Sequence, residues 1–371
     1  MYKDARKKIM ILAAPIGSGH IRAAMAIKEQ LSQETDMQVT VYDIFELTAR
    51  FSGKILLSVY FFLLKNIPSS YNFLYKWGDT SSSIALRSLV NWIFARKWEA
   101  FLKDKKPDLV ITTHVTPAGI ISLYKKQTGS KLPLFGVVTD YAMHKWWLYD
   151  EIDAYIVFDK DIFIGYEKFL RENQFVWDLG IPVHEEFTEN VQEKHELRER
   201  FGLPQQSFIG ILSGGGEGFL PMQEIIENWQ ETDSSRKNVF WVAICGKNNT
   251  LYKQLSELSL ANVKVLAYVN DICDYMKAAD FIVSKGGGIT ITEAMNLALP
   301  IILYKPLPGQ EYMNTEYLLR KNVIVKAKNV QELCAIISQE DGLKEIQQRQ
   351  SAFAKPYAAA DIAKKVYAFI D

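Results

Sequence analysis

One pattern limits what this chain can fold into: short apolar runs of strand type alternate with amphipathic stretches, and the alternation occurs twice. The first series is "KIMILAA", "MQVTVYD", "DLVITTH", "LPLFGVVTD" and "DAYIVFD", interleaved with helical patterns such as "HIRAAMAIKEQL". The second is "SFIGILS", "NVFWVAIC", "VKVLAY", "AADFIVSK" and "LPIILYK", separated by "MQEIIENWQE", "CDYMKAA" and "TITEAMNLA". Such alternation predicts parallel sheets covered by helices, an α/β fold of two doubly wound, Rossmann-like domains. A chain of 371 residues also outruns a single core, because domains stop growing at about 250 to 300 residues. The join is expected within residues 179–190, where Gly180 and Pro182 interrupt regular structure before the charged helix "EKHELRERFG". This sets an N-terminal domain at 1–182, a C-terminal domain at 183–352 and a terminal helical segment at 353–371. Ligands of open parallel sheets gather at the carboxyl ends of the strands, so substrates are expected in a cleft between the two halves.

Composition removes several alternatives. With 48% apolar and 23% charged residues the chain is neither disordered nor fibrous. Cys245, Cys273 and Cys334 are odd in number and widely spaced, which argues against a disulfide framework or a zinc site. The charged start "MYKDARKK" runs directly into a strand and lacks the apolar core of a signal peptide, so a cytosolic protein is expected. Formal net charge is zero, yet between Arg50 and Trp98 seven Lys and Arg residues face Asp79 alone. The same window holds "ILLSVYFFLL" (55–64), with Leu57, Phe61 and Phe62, followed by Lys65 and Trp77. A run of ten residues cannot cross about 30 Å of hydrocarbon. It suits either a membrane interface, with cations toward anionic lipid, or a buried helix with solvated flanks.

The chemistry-bearing motifs sit at strand ends. In "LAAPIGSGHIRAA", Gly17 and Gly19 open a helix, and Asp43 ends the next strand where a ribose-binding acid would sit. Arg22 occupies the place of the third small residue, which disfavours a dinucleotide fingerprint. His20, at the first turn of that helix, is placed either to accept a proton from an attacking hydroxyl or simply to cap and pack. In "ILSGGGEGFLP" (211–221), Gly214, Gly215, Gly216 and Gly218 expose backbone N–H groups to a phosphate, and no Gly-Lys-Ser/Thr follows that would make a P-loop. In "SKGGGITITEAMNLALP" (284–300), three glycines precede a helix start that favours a pyrophosphate. Glu293 is expected in its first turn, bonded to ribose hydroxyls or closing a Thr290-x-x-Glu293 capping box. Lys285 reads equally as a phosphate ligand and as a solvated lysine. In "YKPLPGQEYMN" (304–314), Gln310 and Glu311 suit sugar hydroxyls. Asp159-Lys160-Asp161 has the DxD form of a metal-bound carboxylate pair, but Asp161 is favoured as the N-cap of "IFIGYEKFL".

Taken in order, "GSGH" (17–20), "VTDYAMHKWW" (138–147), "GIPV" (180–183), "SGGGEG" (213–218), "SKGGGITITEA" (284–294) and "PGQE" (308–311) make the chain resemble the GT-B glycosyltransferases of family 28, the group of bacterial diacylglycerol glucosyltransferases and plant monogalactosyldiacylglycerol synthases. The resemblance covers nearly the whole chain. It implies two GT-B domains facing across a cleft and an inverting, metal-independent transfer of a hexose from a UDP-sugar, with no cofactor, to diacylglycerol. It gives His20 the role of base, with Asp140 and His144 on the acceptor side. Ser213, Gly214, Gly215 and Gly216, with Gly286, Gly287, Gly288, Ile289 and Thr290, would hold the UDP phosphates, and Gly19 and Ser284 would also line the UDP-sugar site. Glu293 would take the ribose, backbone at Tyr268 and Val269 the uracil, and Gln310 and Glu311 the hexose. The last helix would return to the first domain. Relatives often carry proline-glycine where this chain has Gly286-Gly287-Gly288. A membrane acceptor makes segment 50–98 the expected contact with an anionic bilayer, through Leu57, Phe61, Phe62, Lys65 and Trp77, on the cytosolic face. No nucleic acid partner is implied. Rival readings are a lipid II-type UDP-GlcNAc transferase, a non-hydrolysing UDP-sugar epimerase and a non-catalytic UDP-sugar sensor.

Overall fold

A computed structural model describes residues 6–15, 18–44, 98–188, 192–231, 239–258, 260 and 262–370. The segment proposed to meet the bilayer, with Leu57, Phe61, Phe62, Lys65 and Trp77, lies outside the described residues, as does Gly17. The chain divides into two compact units, one of residues 1–184 with 308–310 and 357–371, the other of 185–307 with 311–356.

The first unit contains strands β1 (Lys8–Ala13), β2 (Gln38–Asp43), β3 (Leu109–Thr112), β4 (Leu134–Val137), β5 (Ala154–Ile156) and β6 (Phe175–Trp177), and helices α1 (Gly19–Glu34) and α2 (Val115–Thr128). All six strands pair in parallel, in the order β2-β1-β3-β4-β5-β6. Strands β3 and β4 are buried at every residue, as expected of parallel strands covered on both faces. Helix α1 contributes Ala24, Ile27 and Leu31 to the core, together with Ile362, Ala363 and Val366 of the chain's last helix.

The second unit contains helix α3 (Lys194–Arg200), β7 (Phe208–Ser213), α4 (Met222–Glu231), β8 (Val239–Ile244), α5 (Asn249–Glu257), β9 (Val263–Leu266), α6 (Ile272–Ala278) and β10 (Phe281–Ser284). It continues with α7 (Gly288–Asn296), β11 (Ile301–Tyr304), α8 (Gln310–Arg320), β12 (Val325–Ala327), α9 (Val330–Ser338) and α10 (Glu340–Phe353), and the last helix of the chain, α11, is Ala358–Ile370. Its sheet is also wholly parallel, in the order β12-β11-β10-β7-β8-β9. Both sheets are doubly wound, the architecture expected from the alternation of apolar runs. The sequence reading omitted β6 and β12, each three residues at a sheet edge and only partly buried.

Strand order fixes where ligands can sit. In the first unit the chain runs from β1 out to β2 and returns on the other flank of β1 as β3. In the second it runs from β7 through β8 to β9 and returns beside β7 as β10. The loops leaving β1 and β3 therefore diverge, as do those leaving β7 and β10, and each divergence opens a crevice at the carboxyl ends of the strands.

Candidate functional site

At the crevice of the second unit, Ser213 and Ser284 end β7 and β10 as register partners, and both glycine turns begin there side by side. Ser284 Oγ donates to the Ser213 carbonyl at 2.8 Å, tying the strand ends together. The Ser284 hydroxyl thus holds the frame.

Main-chain polarity is sorted in these turns. The carbonyls of Gly214, Gly215 and Gly216 accept from the amides of Phe219 (3.1 Å), Gly218 (3.0 Å) and Lys247 (2.8 Å). In the second turn the Gly286 carbonyl accepts from Asn314 Nδ2 at 3.0 Å, that of Gly287 from the Ile291 amide at 3.1 Å, and that of Gly288 from Thr292 Oγ1 at 2.8 Å. The oxygens that would repel an anion are thereby paired within the unit. Helix α7 starts at Gly288 with Gly287 as its N-cap and no side-chain cap, so the Gly288, Ile289 and Thr290 amides have no intrahelical acceptor. The favoured occupant of such an end is an anion.

Several of these positions require glycine, some by space and some by backbone angle. Gly215 lies at φ +71°, and a Cβ on Gly286 would stand 2.3 Å from the carbonyl oxygen of Glu311. Gly218, by contrast, spends its amide on closing its own turn and is a structural glycine, not a phosphate ligand as the sequence suggested.

The helix start also corrects the placement of Glu293. With α7 beginning at Gly288, Glu293 falls in the second turn and is 1% exposed, and Thr290 is inside the helix, so the capping box does not form. Helical side chains lean toward the N-terminus, so a second-turn glutamate still serves the turn before it. Tyr268, half-exposed, and Val269 follow β9 at the same end of the sheet. Gln310, grouped with the first unit, donates from Nε2 to the Ala142 carbonyl at 2.8 Å. Both oxygens of Glu311 are engaged: Oε1 accepts from Lys285 Nζ, and Oε2 from the Leu307 amide at 3.0 Å. Lys285 is not a solvated lysine, since its side chain is only 14% exposed.

In the crevice of the first unit, Gly19 and His20 open α1 behind Ser18, which makes no side-chain cap. His20 Nδ1 lies 2.8 Å from the Thr113 carbonyl and 2.9 Å from Thr139 Oγ1, while Thr113 Oγ1 donates to the His20 carbonyl at 2.9 Å. A carbonyl can only accept, so Nδ1 carries the proton and Nε2 keeps its lone pair. Burial lowers the His20 pKa from 6.5 to about 4, only partly offset by the bond to Thr113. His114 stands edge-on to this ring, with centroids 4.7 Å apart. Burial, and secondarily the neighbouring His20, hold the His114 pKa well below its usual value. Its Nδ1 accepts from the Thr116 amide at 3.1 Å, capping α2.

The other acceptor-side residues sit in the loop after β4. Asp140 is half-buried next to Thr139. His144 Nδ1 accepts from the Trp146 amide at 3.2 Å, capping a 3-10 turn over Lys145–Trp147. His144 and His114 therefore carry their proton on Nε2 when neutral, and His20 is the one of the three whose Nε2 can take a proton. In the DxD segment the cap is Asp159, not Asp161: its carboxylate accepts from the Asp161 amide at 3.0 Å at the start of the 3-10 turn Lys160–Phe163. Sequence reasoning passed over Thr113, Thr139 and His114, although "ITTH" at a strand end was a visible signal.

Comparison with known proteins bears on family and fold. Residues 20–183 match the model of the monogalactosyldiacylglycerol (MGDG) synthase family, and residues 221–357 match that of glycosyl transferases group 1. A processive diacylglycerol beta-glucosyltransferase of Bacillus cereus (strain B4264) is 30% identical over 88% of this chain and 84% of its own. The protein of that name from Bacillus subtilis (strain 168) is 26% identical over 92% and 89%. Among solved structures, Acinetobacter baumannii MurG covers 98% of this chain and 99% of its own with a TM-score of 0.64 at 16% identity. TcCGT1 in complex with UDP covers 98% and 100% with a TM-score of 0.63 at 14% identity. The folds are GT-B, and the chain belongs to the glycosyltransferase family that contains the processive diacylglycerol beta-glucosyltransferases.

Proposed function

We propose that this glycosyltransferase moves a hexose, glucose in the first instance, from a UDP-sugar to the free hydroxyl of diacylglycerol at the cytosolic membrane surface, with inversion and without a metal. The observation that carries the donor half is the pairing of the glycine carbonyls in the two turns, Gly214 to Gly216 and Gly286 to Gly288, which favours an amide-lined, positively polarised mouth for a diphosphate. Names of relatives support the acceptor and the sugar. Among the described residues no helix is long and apolar enough to cross a membrane, and a peripheral attachment through segment 50–98 fits a lipid acceptor.

In this reading Gly214 to Gly216 and Gly286 to Thr290 take the diphosphate, Glu293 the ribose, backbone at Tyr268 and Val269 the uracil, and Gln310 with Glu311 the hexose. The diacylglycerol hydroxyl attacks the anomeric carbon directly and gives its proton to His20 Nε2. Thr113 and Thr139 orient the imidazole and balance the charge it gains. Asp140 and His144 line the acceptor. As the glycosidic bond breaks, negative charge grows on UDP, where fixed amide dipoles stabilise it without reorganisation.

The test is transfer from radiolabelled UDP-glucose, UDP-galactose and UDP-GlcNAc to diacylglycerol vesicles, read as labelled lipid. Glucose labelling is expected to dominate. Labelling from UDP-GlcNAc alone would move the chain to a lipid II-type transferase, and UDP-GlcNAc interconversion without acceptor to an epimerase.

A further inference from the structure

We propose that Lys285 and Glu311 form an exchangeable ion pair that couples recognition of the donor's diphosphate to recognition of its hexose. The inference rests on the reading of the second unit as a UDP-sugar site and goes beyond it. Lys285 follows β10 directly, and its ammonium donates to Glu311 Oε1, with the two side chains 14% and 15% exposed. A Cβ built on Gly215 would lie 3.3 Å from Lys285 Cε, and one on Gly287 would lie 3.9 Å from Lys285 Nζ. The ammonium therefore stands between the two glycine turns, where an anion held on their amides would arrive. An ammonium has three donors and rotates freely, so it can pass from a carboxylate to a phosphate oxygen without moving its stem.

Glu311 is fixed independently of Lys285. Its Oε2 accepts from the Leu307 amide at 3.0 Å, and its carbonyl accepts from Thr315 Oγ1 at 2.7 Å. When the diphosphate enters, its charge attracts the ammonium and repels the carboxylate, and in this partly desolvated pocket both effects are stronger than in water. Lys285 transfers to the phosphate, and Oε1 of Glu311 becomes an open acceptor at an unchanged position beside Gln310, ready for a hexose hydroxyl. Before donor binding the same oxygen is occupied, so a free hexose finds no acceptor there. Lys285 is then a binding residue for the leaving group, and Glu311 is a counter-ion that becomes a sugar ligand only once the phosphate is in place.

The sign of one substitution separates this from a plain sugar contact. Calorimetry on the full chain with uridine, UDP and UDP-glucose compares wild type with E311Q, K285Q and K285R. E311Q removes the competing counter-ion and is expected to bind UDP roughly 3- to 10-fold tighter, while losing the preference of wild type for UDP-glucose over UDP. K285Q is expected to bind UDP about 10- to 100-fold more weakly, with uridine affinity unchanged and K285R close to wild type. UDP binding in E311Q that is unchanged or weaker overturns the exchange, and so does a K285Q loss shared equally by uridine and UDP. The K285Q contrast stands alone should E311Q fail to fold. Failure of wild type to bind either uridine or UDP would instead remove the donor-site reading itself.

Discussion

The pH dependence of transfer is where the geometry around His20 is most exposed to test. Nδ1 is committed as a donor to the Thr113 carbonyl, so as the proposed base the ring would act from Nε2 and only while neutral. Burial brings its pKa down from 6.5 to about 4. A base with that pKa is about 90% neutral at pH 5, whereas an ordinary imidazole is about 3% neutral. The two cases differ by about 30-fold in kcat/KM at that pH. The assay is the initial rate of labelled hexose transfer to diacylglycerol vesicles at subsaturating donor, from pH 4 to 8, with H20A in parallel. The expected profile is flat to about pH 5 with an acid limb centred near pH 4. H20A is expected to lose a factor of about 10² to 10⁴ in turnover and to keep its affinity for UDP. An acid limb near pH 6.5, or turnover retained in H20A, refutes the assignment. The same shift is a stability statement. Folded His20 resists a proton that the unfolded chain accepts below pH 6.5, so stability is greatest above that pH. It falls by about 3 kcal/mol as the pH drops from 6.5 to 4.

Four further outcomes are expected. Gly286→Ala places a Cβ 2.3 Å from the Glu311 carbonyl oxygen, and UDP affinity by calorimetry should fall by at least about 10-fold. At Gly129, a left-handed helix cap with open space, alanine should cost only about 1 kcal/mol in a urea melt. Asp280 accepts from Arg198 Nη2 at 2.8 Å and from the Ile209 amide at 2.7 Å, clamping α3 to the start of β7. D280N should lower stability by about 2 kcal/mol in denaturant while leaving UDP affinity of the folded protein unchanged. Phe61→Glu with Phe62→Glu should cut sedimentation with anionic vesicles and spare UDP binding; unchanged sedimentation would remove segment 50–98 as the membrane contact.

The strands were legible because parallel strands buried on both faces are written as continuous apolar runs, and ten of the twelve could be quoted as such before the structure. The edges β6 and β12 were not, because three residues only partly buried leave neither a period nor a buried run, whereas β5, equally short, is buried throughout. Helix starts were misjudged where chemistry competes with capping. Thr290 and Glu293 have the spacing of a capping box, but the helix begins two residues earlier on glycine amides that no side chain covers. Asp159 and Asp161 are equally good caps by type, and only the backbone at Asp159, extended at φ −147° and ψ 142°, decides between them. The partners of His20 were invisible for a different reason. Thr113 and Thr139 come from the ends of β3 and β4, 93 and 119 residues from His20 in sequence, and they meet it only because strand order sets β3 beside β1.

Both crevices rely on main-chain atoms more than on side chains. The proton on His20 is anchored to a carbonyl, and the proposed diphosphate mouth is a set of amides whose neighbouring carbonyls are paired. Main-chain groups are present whatever the residue, so sequence acts on such a site chiefly through the Cβ: whether it clashes, and whether the turn tolerates a positive φ. Specificity then falls to the few side chains at the mouth, and in the proposed exchange Lys285 and Glu311 are the pair whose charges bear on both ends of the donor. Substitutions at the glycines should accordingly change affinity for every uridine diphosphate alike, whereas those at Lys285 and Glu311 should change the ranking between UDP and UDP-hexose.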